Sequence, residues 1–294
     1  MPDATTATTV RIRALVPSLA PAERRVAERV LADPAAVAAS TISSLARDCE
    51  TSETTVIRFC RAVGFTGYPA LRLSLATEHG RSGAGDTRQL TGDIAADDDL
   101  DKVVAKIAFA DARAVEETAE QLDLDALHAV IDALVAAPRV DVYGVAASGF
   151  VALDFQQKLH RIGRVAFAWT DPHIALTSAA LLTPGDVAVA ISHSGATQDT
   201  VDALALAKQR GATTVALTNF PRSPLAELGD HVLTTAARET TFRSGATASR
   251  LAQLTVVDCV FVGVAQRTFE TTQQALELTH DAVADRRVGR KGNR

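Results

Sequence analysis

The chain has 294 residues, of which 47% are hydrophobic and 22% charged, with 30 Lys and Arg against 35 Asp and Glu for a formal net charge of −5. At roughly 150 residues per domain the length suggests about two domains, and the apolar content excludes wholesale disorder. A net negative charge argues against coating of nucleic acid by the whole molecule, and leaves room for one local DNA-reading surface.

The first residues, MPDATTATTVRIR, lack a basic-then-apolar signal pattern, so a cytoplasmic location is expected. Pro21 suits a first helical position and is followed by Ala22, Val26, Ala27, Val30 and Leu31 at helical spacing, with Pro34 ending that helix. Ile42, Leu45, Ala46 and Cys49 repeat the spacing, with Thr41 as N-cap. A third helix has Ser52 as N-cap, Val56, Phe59, Cys60 and Val63 as its apolar stripe, and Gly64 at its end. A fourth, short helix is expected over 69–76.

The second and third of these helices are short and only about three residues apart around Glu50. Such a pair crosses steeply, as in a helix-turn-helix. Opposite the stripe, Thr54, Arg58 and Arg61 lie at i, i+4 and i+7, and Ser52, Glu53 and Thr54 occupy the N-terminal turn that enters the major groove in that motif. Arginines there can bond guanine edges or phosphates, and hydroxyls suit backbone contacts. The plainer alternative is a small helical bundle with a soluble face.

Residues 79–102, HGRSGAGDTRQLTGDIAADDDLDK, have linker composition. Beyond them Leu127, Val130, Ile131 and Leu134 form a helical stripe. Five short apolar runs follow, near 141 and over 165–169, 186–192, 213–219 and 231–236, with helices expected between them over 151–162, 174–182 and 200–209. Nearly continuous β-branched runs alternating with helices predict a mostly parallel sheet covered on both faces. Such sheets hold ligands at the carboxyl ends of their strands. Two of those ends run into GVAASG (144–149) and SHSGAT (192–197), each followed by a helix. Free amides at a helix start attract anions, and the hydroxyls of Ser148, Ser192, Ser194 and Thr197 can complete a phosphate cradle, with Gly195 allowing close backbone approach. Neither loop has a Walker-type Lys, which disfavours nucleotide hydrolysis, and no GxGxxG run occurs, which leaves a dinucleotide site weak, so no cofactor is expected.

No stretch reaches the roughly 18 uncharged apolar residues of a membrane helix. The longest, 256–265, contains Asp258 and reads as a core helix, so no membrane partner is expected. The three cysteines, Cys49, Cys60 and Cys259, form no CxxC pair, so neither a disulfide scaffold nor a Cys-based metal site is expected. The tail RRVGRKGNR has five basic residues. It reads as a solvated end, with a DNA-contacting arm as the alternative.

Residues 45–65, LARDCETSETTVIRFCRAVGF, resemble the N-terminal helix-turn-helix of the RpiR/MurR family of bacterial transcriptional regulators, through Ser52, Thr55, Val56, Arg58, Phe59 and the closing Gly64 and Phe65. VYGVAASG and AISHSGATQDT resemble the sugar isomerase (SIS) domain, and 242–254, FRSGATASRLAQL, is similar to this family's C-terminal helix. The resemblance implies an α/β chain overall: an all-α DNA-binding domain over 1–80, a linker over 81–102, a doubly wound, flavodoxin-like parallel SIS domain over 103–285 and the basic tail 286–294. It implies a regulator that binds operator DNA and a phosphorylated sugar effector, as a homodimer or homotetramer. The implied effector set is Ser148, Ser192, His193, Ser194, Gly195 and Thr197, with Gly144, Ala147 and Glu239. The implied DNA set is Ser52, Glu53, Thr54, Thr55, Arg58 and Arg61. Three positions depart from the family pattern: Glu50 and Ala146 stand where Gly is usual, and Ala20 where a Ser cap is common. An enzyme on the same fold is the main alternative, an isomerase or lyase with Glu239, His173 or His193 as general base. A sensor of an unphosphorylated amino sugar is a third reading, and it would leave the hydroxyl cradle without its anion.

Overall fold

The computed structural model describes residues 8–81, 93–239 and 248–284. The tail 286–294, the linker stretch 82–92 and the first part of the 242–254 segment lie outside them. The chain forms two compact units, one from Met1–Leu122, Asn219–Ser223 and Thr234–Ala252, the other from Asp123–Thr218, Pro224–Leu233 and Gln253–Arg294.

The first unit opens with six helices: α1 Thr8–Leu15, α2 Pro21–Ala32, α3 Pro34–Ala39, α4 Ile42–Asp48, α5 Glu53–Ala62 and α6 Tyr68–Arg81. Their core gathers Val26, Val30, Leu45, Val56, Phe59, Leu71 and Leu75. Pro34 does end α2, but it also starts α3, because Asp33 caps the new helix by accepting from the Ala36 amide at 2.9 Å. Ala20 precedes α2 without a side-chain cap. The helix expected over 69–76 runs longer, and α1 was not anticipated. The acidic stretch read as linker is partly folded: Asp99 caps α7, Leu100–Gln121, and the buried Asp98 carboxylate holds Lys102 and Lys106, both at 2.6 Å. Ala114 of α7 packs with Ala237, Ala248 and Ala252.

The second unit starts with α8, Leu124–Ala136, whose Val130, Ile131 and Leu134 are buried as the stripe predicts. Then β1 Val140–Tyr143, α9 Ala146–Arg161, β2 Ala166–Trp169, α10 Pro172–Ala179, β3 Val187–Ile191, α11 Gln198–Gln209, β4 Thr213–Thr218, α12 Pro224–Leu228 and β5 His231–Thr234 follow. All five expected strands are present, in the order β2-β1-β3-β4-β5. β1 pairs in parallel with β2 and with β3, and β3 with β4. After β1 the chain moves to one side of the sheet, and after β3 to the other, so the order reverses between these two neighbours.

Helix α13 spans Ala248–Arg267. By length and composition it passes for a membrane-crossing helix, alone in this among the described residues. Its Val256, Val257, Val260 and Val264 are buried and its Asp258 pairs with Lys158, as in a core helix. A Cβ on its Gly263 would lie 2.2 Å from Ile131 Cδ1, so the missing side chain is what lets α13 approach α8. The last helix is α14, Phe269–Asp281.

Candidate functional site: a recognition helix and an anion cradle

In the first unit, α4 and α5 begin and end by the same chemistry. Thr41 Oγ1 accepts from the Ser44 amide, and Ser52 Oγ from the Thr55 amide, both at 3.2 Å. At the end of α4, Glu50 N–H donates to Arg47 O at 3.0 Å and Thr51 N–H to Ala46 O at 2.9 Å. At the end of α5, Gly64 N–H donates to Arg61 O at 3.0 Å and Phe65 N–H to Cys60 O at 2.8 Å. Both are Schellman motifs, which need a left-handed residue after the cap. Gly64 supplies it with φ 87°, and Glu50 supplies it with φ 48°. Arg25 of α2 completes the first turn, its Nε donating to Cys49 O at 3.0 Å and its Nη2 to Glu50 O at 3.1 Å. The Cys49 carbonyl is one that the helix end leaves without a partner, and the Glu50 carbonyl is the next along the turn.

α5 buries Val56, Phe59 and Cys60 and exposes Glu53, Thr54, Arg58 and Arg61, with Ser52 exposed just before it. Arg58 keeps 62% of its side chain exposed while its Nε lies 3.7 Å from Glu23 of α2. Glu53 accepts from Ser43 Oγ of α4. Thr55 differs from the other five residues of this set. It is 7% exposed and its hydroxyl lies 3.0 Å from Ser52 Oγ, so it serves the helix start.

In the second unit both loops leave the carboxyl ends of β1 and β3, the point where strand order reverses and open α/β sheets place their ligands. The loop after β3 folds onto its own hydroxyls. Ser192, 3% exposed, accepts from Gly195 N–H at 3.1 Å, and its Oγ lies 3.1 Å from Thr197 Oγ1 and 3.5 Å from Ser194 Oγ. Ser194 Oγ accepts from the Ala196 amide at 3.2 Å. Gly195 has φ 62°, and its carbonyl accepts from Leu225 N–H at 2.9 Å. Thr197 makes no capping bond, which leaves its hydroxyl with the serines at the start of α11. One turn on, the buried Thr200 hydroxyl has no hydrogen-bond partner among the described atoms. His193 is half-buried, and its carbonyl accepts from Thr218 Oγ1 at 3.2 Å.

The loop after β1 is held by close backbone approach. A Cβ at Gly144 would lie 2.7 Å from Ser148 O, and one at Gly149 3.0 Å from Gly144 O. Ala146, at φ 50°, is the only non-glycine residue besides Glu50 with positive φ among the described residues. Ala147 and Ser148 are half-buried in the first turn of α9. Ser148 Oγ meets the side chain of Gln253 on α13, a residue the sequence reading passed over. Its signal was an amide on a largely apolar helical face.

The strand beneath this loop is anchored by a buried carboxylate. Asp141 accepts from Arg139 at 2.8 and 3.0 Å, Trp169 Nε1 at 2.8 Å, Ser178 Oγ at 2.6 Å and Tyr143 OH at 3.3 Å. Burial, reinforced by Asp141, holds the Tyr143 phenol far above its ordinary pKa, so it remains a donor. Arg139 is held as a cation chiefly by its hydrogen bonds to Asp141.

Two further residues weighed for catalysis are described by their own surroundings. Glu239 belongs to the first unit, where it accepts from Ser249 Oγ. His173 is exposed in the first turn of α10.

Comparison with known proteins matches two parts of the chain to known families. Residues 7–82 match the helix-turn-helix domain of the rpiR family, and residues 133–263 match the SIS domain. An HTH-type transcriptional regulator of Caldanaerobacter subterraneus is 41% identical over 277 residues, covering 94% of this chain and 97% of the relative. The HTH-type transcriptional regulator RpiR of Escherichia coli K12 is 31% identical over 257 residues, covering 87% and 86%. Among solved structures, the Vibrio vulnificus NanR protein complexed with ManNAc-6P is 29% identical, with a TM-score of 0.61 over 96% of this chain and 100% of that one.

Proposed function

Because this chain belongs to the RpiR family of helix-turn-helix transcriptional regulators, we propose that it binds operator DNA through α5 and that a phosphorylated sugar held at the β1 and β3 loops alters that binding. The observation that carries the effector half is the convergence of the Ser192, Ser194 and Thr197 hydroxyls at a helix start, on the switch point of a parallel sheet. A phosphate needs donors from several directions, and hydroxyls plus amides at a helix N-terminus supply them without a lysine. Ser148, His193, Gly195, Gly144 and Ala147 complete the loops. The ManNAc-6P complex of the Vibrio relative supports the same ligand class here. Other amino-sugar phosphates, muramic acid 6-phosphate derivatives among them, fit the same chemistry.

In this reading residues 1–80 are the DNA head, 103–285 the sensor and 81–102 their connection. Ser52, Thr54, Arg58 and Arg61 face the duplex, with Glu53 beside them, and Thr55 supports the helix start from within. The protein works in the cytoplasm as a homodimer or homotetramer, presenting two recognition helices to half-sites about 34 Å apart or a multiple of that. The effector shifts DNA affinity only by its own preference between the DNA-competent and DNA-incompetent states. Catalysis is not part of the proposal: a regulator needs no general base, and the relatives are named as regulators.

The test is fluorescence anisotropy of labelled DNA from upstream of the protein's own gene, titrated at fixed salt with and without a panel of sugar phosphates. Tight binding that one phosphate weakens or strengthens is expected. Loss of that binding in Arg58→Ala would locate it on α5. Turnover of a sugar phosphate without any specific DNA binding would overturn the proposal in favour of an isomerase or lyase.

A further inference from the structure

Gln253 is 1% exposed, and its amide straddles a single atom. Ser148 Oγ lies 3.4 Å from Gln253 Oε1 and 3.3 Å from Gln253 Nε2. Both residues belong to the second unit. Burying an amide is costly unless its donor and acceptor are used, and here both ends face the hydroxyl of the β1 loop.

The chemistry of a hydroxyl explains why both ends would be used. Serine has one proton to donate and lone pairs to accept with. With no anion present, Ser148 donates to Gln253 Oε1. A phosphate oxygen only accepts, so Ser148 must turn its proton to the ligand. Its own oxygen then needs a donor, and Gln253 Nε2 is already within reach. The resulting chain, amide N–H to hydroxyl to phosphate, polarises each bond along it.

We infer that Gln253 is a positioning residue of the effector site, holding Ser148 in place and supplying the N–H donor when Ser148 donates to a bound phosphate. The inference rests on the phosphate-cradle reading and adds a residue from outside both loops.

The experiment uses the full chain with Gln253→Met, Gln253→Glu, Ser148→Ala and the double substitution Gln253→Met with Ser148→Ala. Each is titrated calorimetrically with N-acetylmannosamine 6-phosphate, N-acetylglucosamine 6-phosphate, glucosamine 6-phosphate and N-acetylmuramic acid 6-phosphate, after circular dichroism has confirmed folding. Gln253→Met is expected to weaken binding roughly three- to tenfold, the range set by one hydrogen bond. Gln253→Glu should weaken it further, because an ionised carboxylate accepts, does not donate and repels the anion. Burial raises a carboxyl introduced at this position above its ordinary range, so its deficit relative to wild type should shrink as pH falls from about 8 to about 5.5 and it regains a donor proton, while that of Gln253→Met stays constant. The double variant should bind no more weakly than Ser148→Ala alone, because Gln253 acts through Ser148.

Wild-type affinity in both Gln253 variants overturns the inference and leaves the cradle standing. So do additive losses in the double variant, or equal, pH-independent deficits in Met and Glu. Should Gln253→Glu fail to fold, the Met variant and the double-mutant cycle still decide the question. A wild-type protein that binds none of the four phosphates removes the cradle reading, and the role of Gln253 with it.

Discussion

Glu50→Gly should stabilise the first unit, and the magnitude follows from the turn between α4 and α5. Glu50 sits at φ 48° in a Schellman motif whose other copy, after α5, uses Gly64 at φ 87°. A residue with a Cβ pays about 1–2 kcal/mol in the left-handed region, while Gly gives back about 0.5–1 kcal/mol in unfolded-chain entropy. The net gain is about 0.5–1 kcal/mol, or a rise of roughly 2–6 °C in Tm for a unit of this size. The bonds that define the turn, including those from Arg25 to the Cys49 and Glu50 carbonyls, use backbone atoms and survive the change. Thermal unfolding of the full chain followed by far-ultraviolet circular dichroism measures the gain. The only tryptophan, Trp169, lies in the second unit, so its fluorescence transition should stay in place. Glu50→Ala is the control: it removes the charge and keeps the Cβ, so it should leave the Tm within a degree or so of wild type. If Ala stabilises as much as Gly, the side chain and not the backbone is responsible, and the reasoning fails. Gly64→Ala should show the reverse effect, a loss of similar size.

Four other outcomes are expected. Ser192→Ala removes the hydroxyl shared by Gly195 N–H and Thr197, and should weaken sugar-phosphate binding by about tenfold or more in calorimetry; a change under about twofold would move the site elsewhere. Asp141→Asn puts an NH₂ among donors from Arg139, Trp169, Ser178 and Tyr143, and should cost about 3–5 kcal/mol in denaturant unfolding, with Trp169 emission shifted; a loss under about 1 kcal/mol would contradict the network. Thiol labelling of the native chain followed by peptide mass analysis should find Cys259 modified first, since it is exposed, whereas Cys49 and Cys60 are buried and burial pushes the Cys60 thiol up to about 11. Ala146→Gly relieves a φ of 50° and should stabilise the second unit by about 0.5–1 kcal/mol, read from the Trp169 transition; a destabilised variant would show that the methyl packs usefully.

Much of this arrangement was legible in the sequence because its signals are local. Thr41 and Ser52 precede apolar stripes at helical spacing, and both cap the helices expected of them. The five strands stand out as short apolar runs, and loops carrying serines at two strand ends mark the candidate cradle. Pro34 misled in part, because a proline that stops one helix also makes a good first residue for the next once Asp33 caps it. The longer α6 and the unforeseen α1 owe their stability to Leu71, Leu75, Val10 and Ile12 packing against other elements, which no single-segment pattern reports.

The harder residues are those whose meaning depends on a distant partner. Thr54 and Thr55 are adjacent hydroxyls that sequence alone treats alike, yet one faces outward and the other closes the Ser52 cap. Gln253 meets a hydroxyl 105 positions earlier in the chain. Glu50 and Ala146 fall between these cases. Sequence marks them only as departures from a family habit of glycine, and backbone geometry gives the departures a cost. They are the two non-glycine residues at positive φ among those described. One lies in the turn that aims α5, the other in the loop that presents Ser148. Backbone strain held at such points is kept only where surrounding contacts over-determine it. Arg25 supplies such contacts at the first turn, and the close packing of Gly144 against Ser148 at the second. The turns that lead into α5 and α9 are therefore pinned from outside, and do not rely on the intrinsic preference of the residue at their centre.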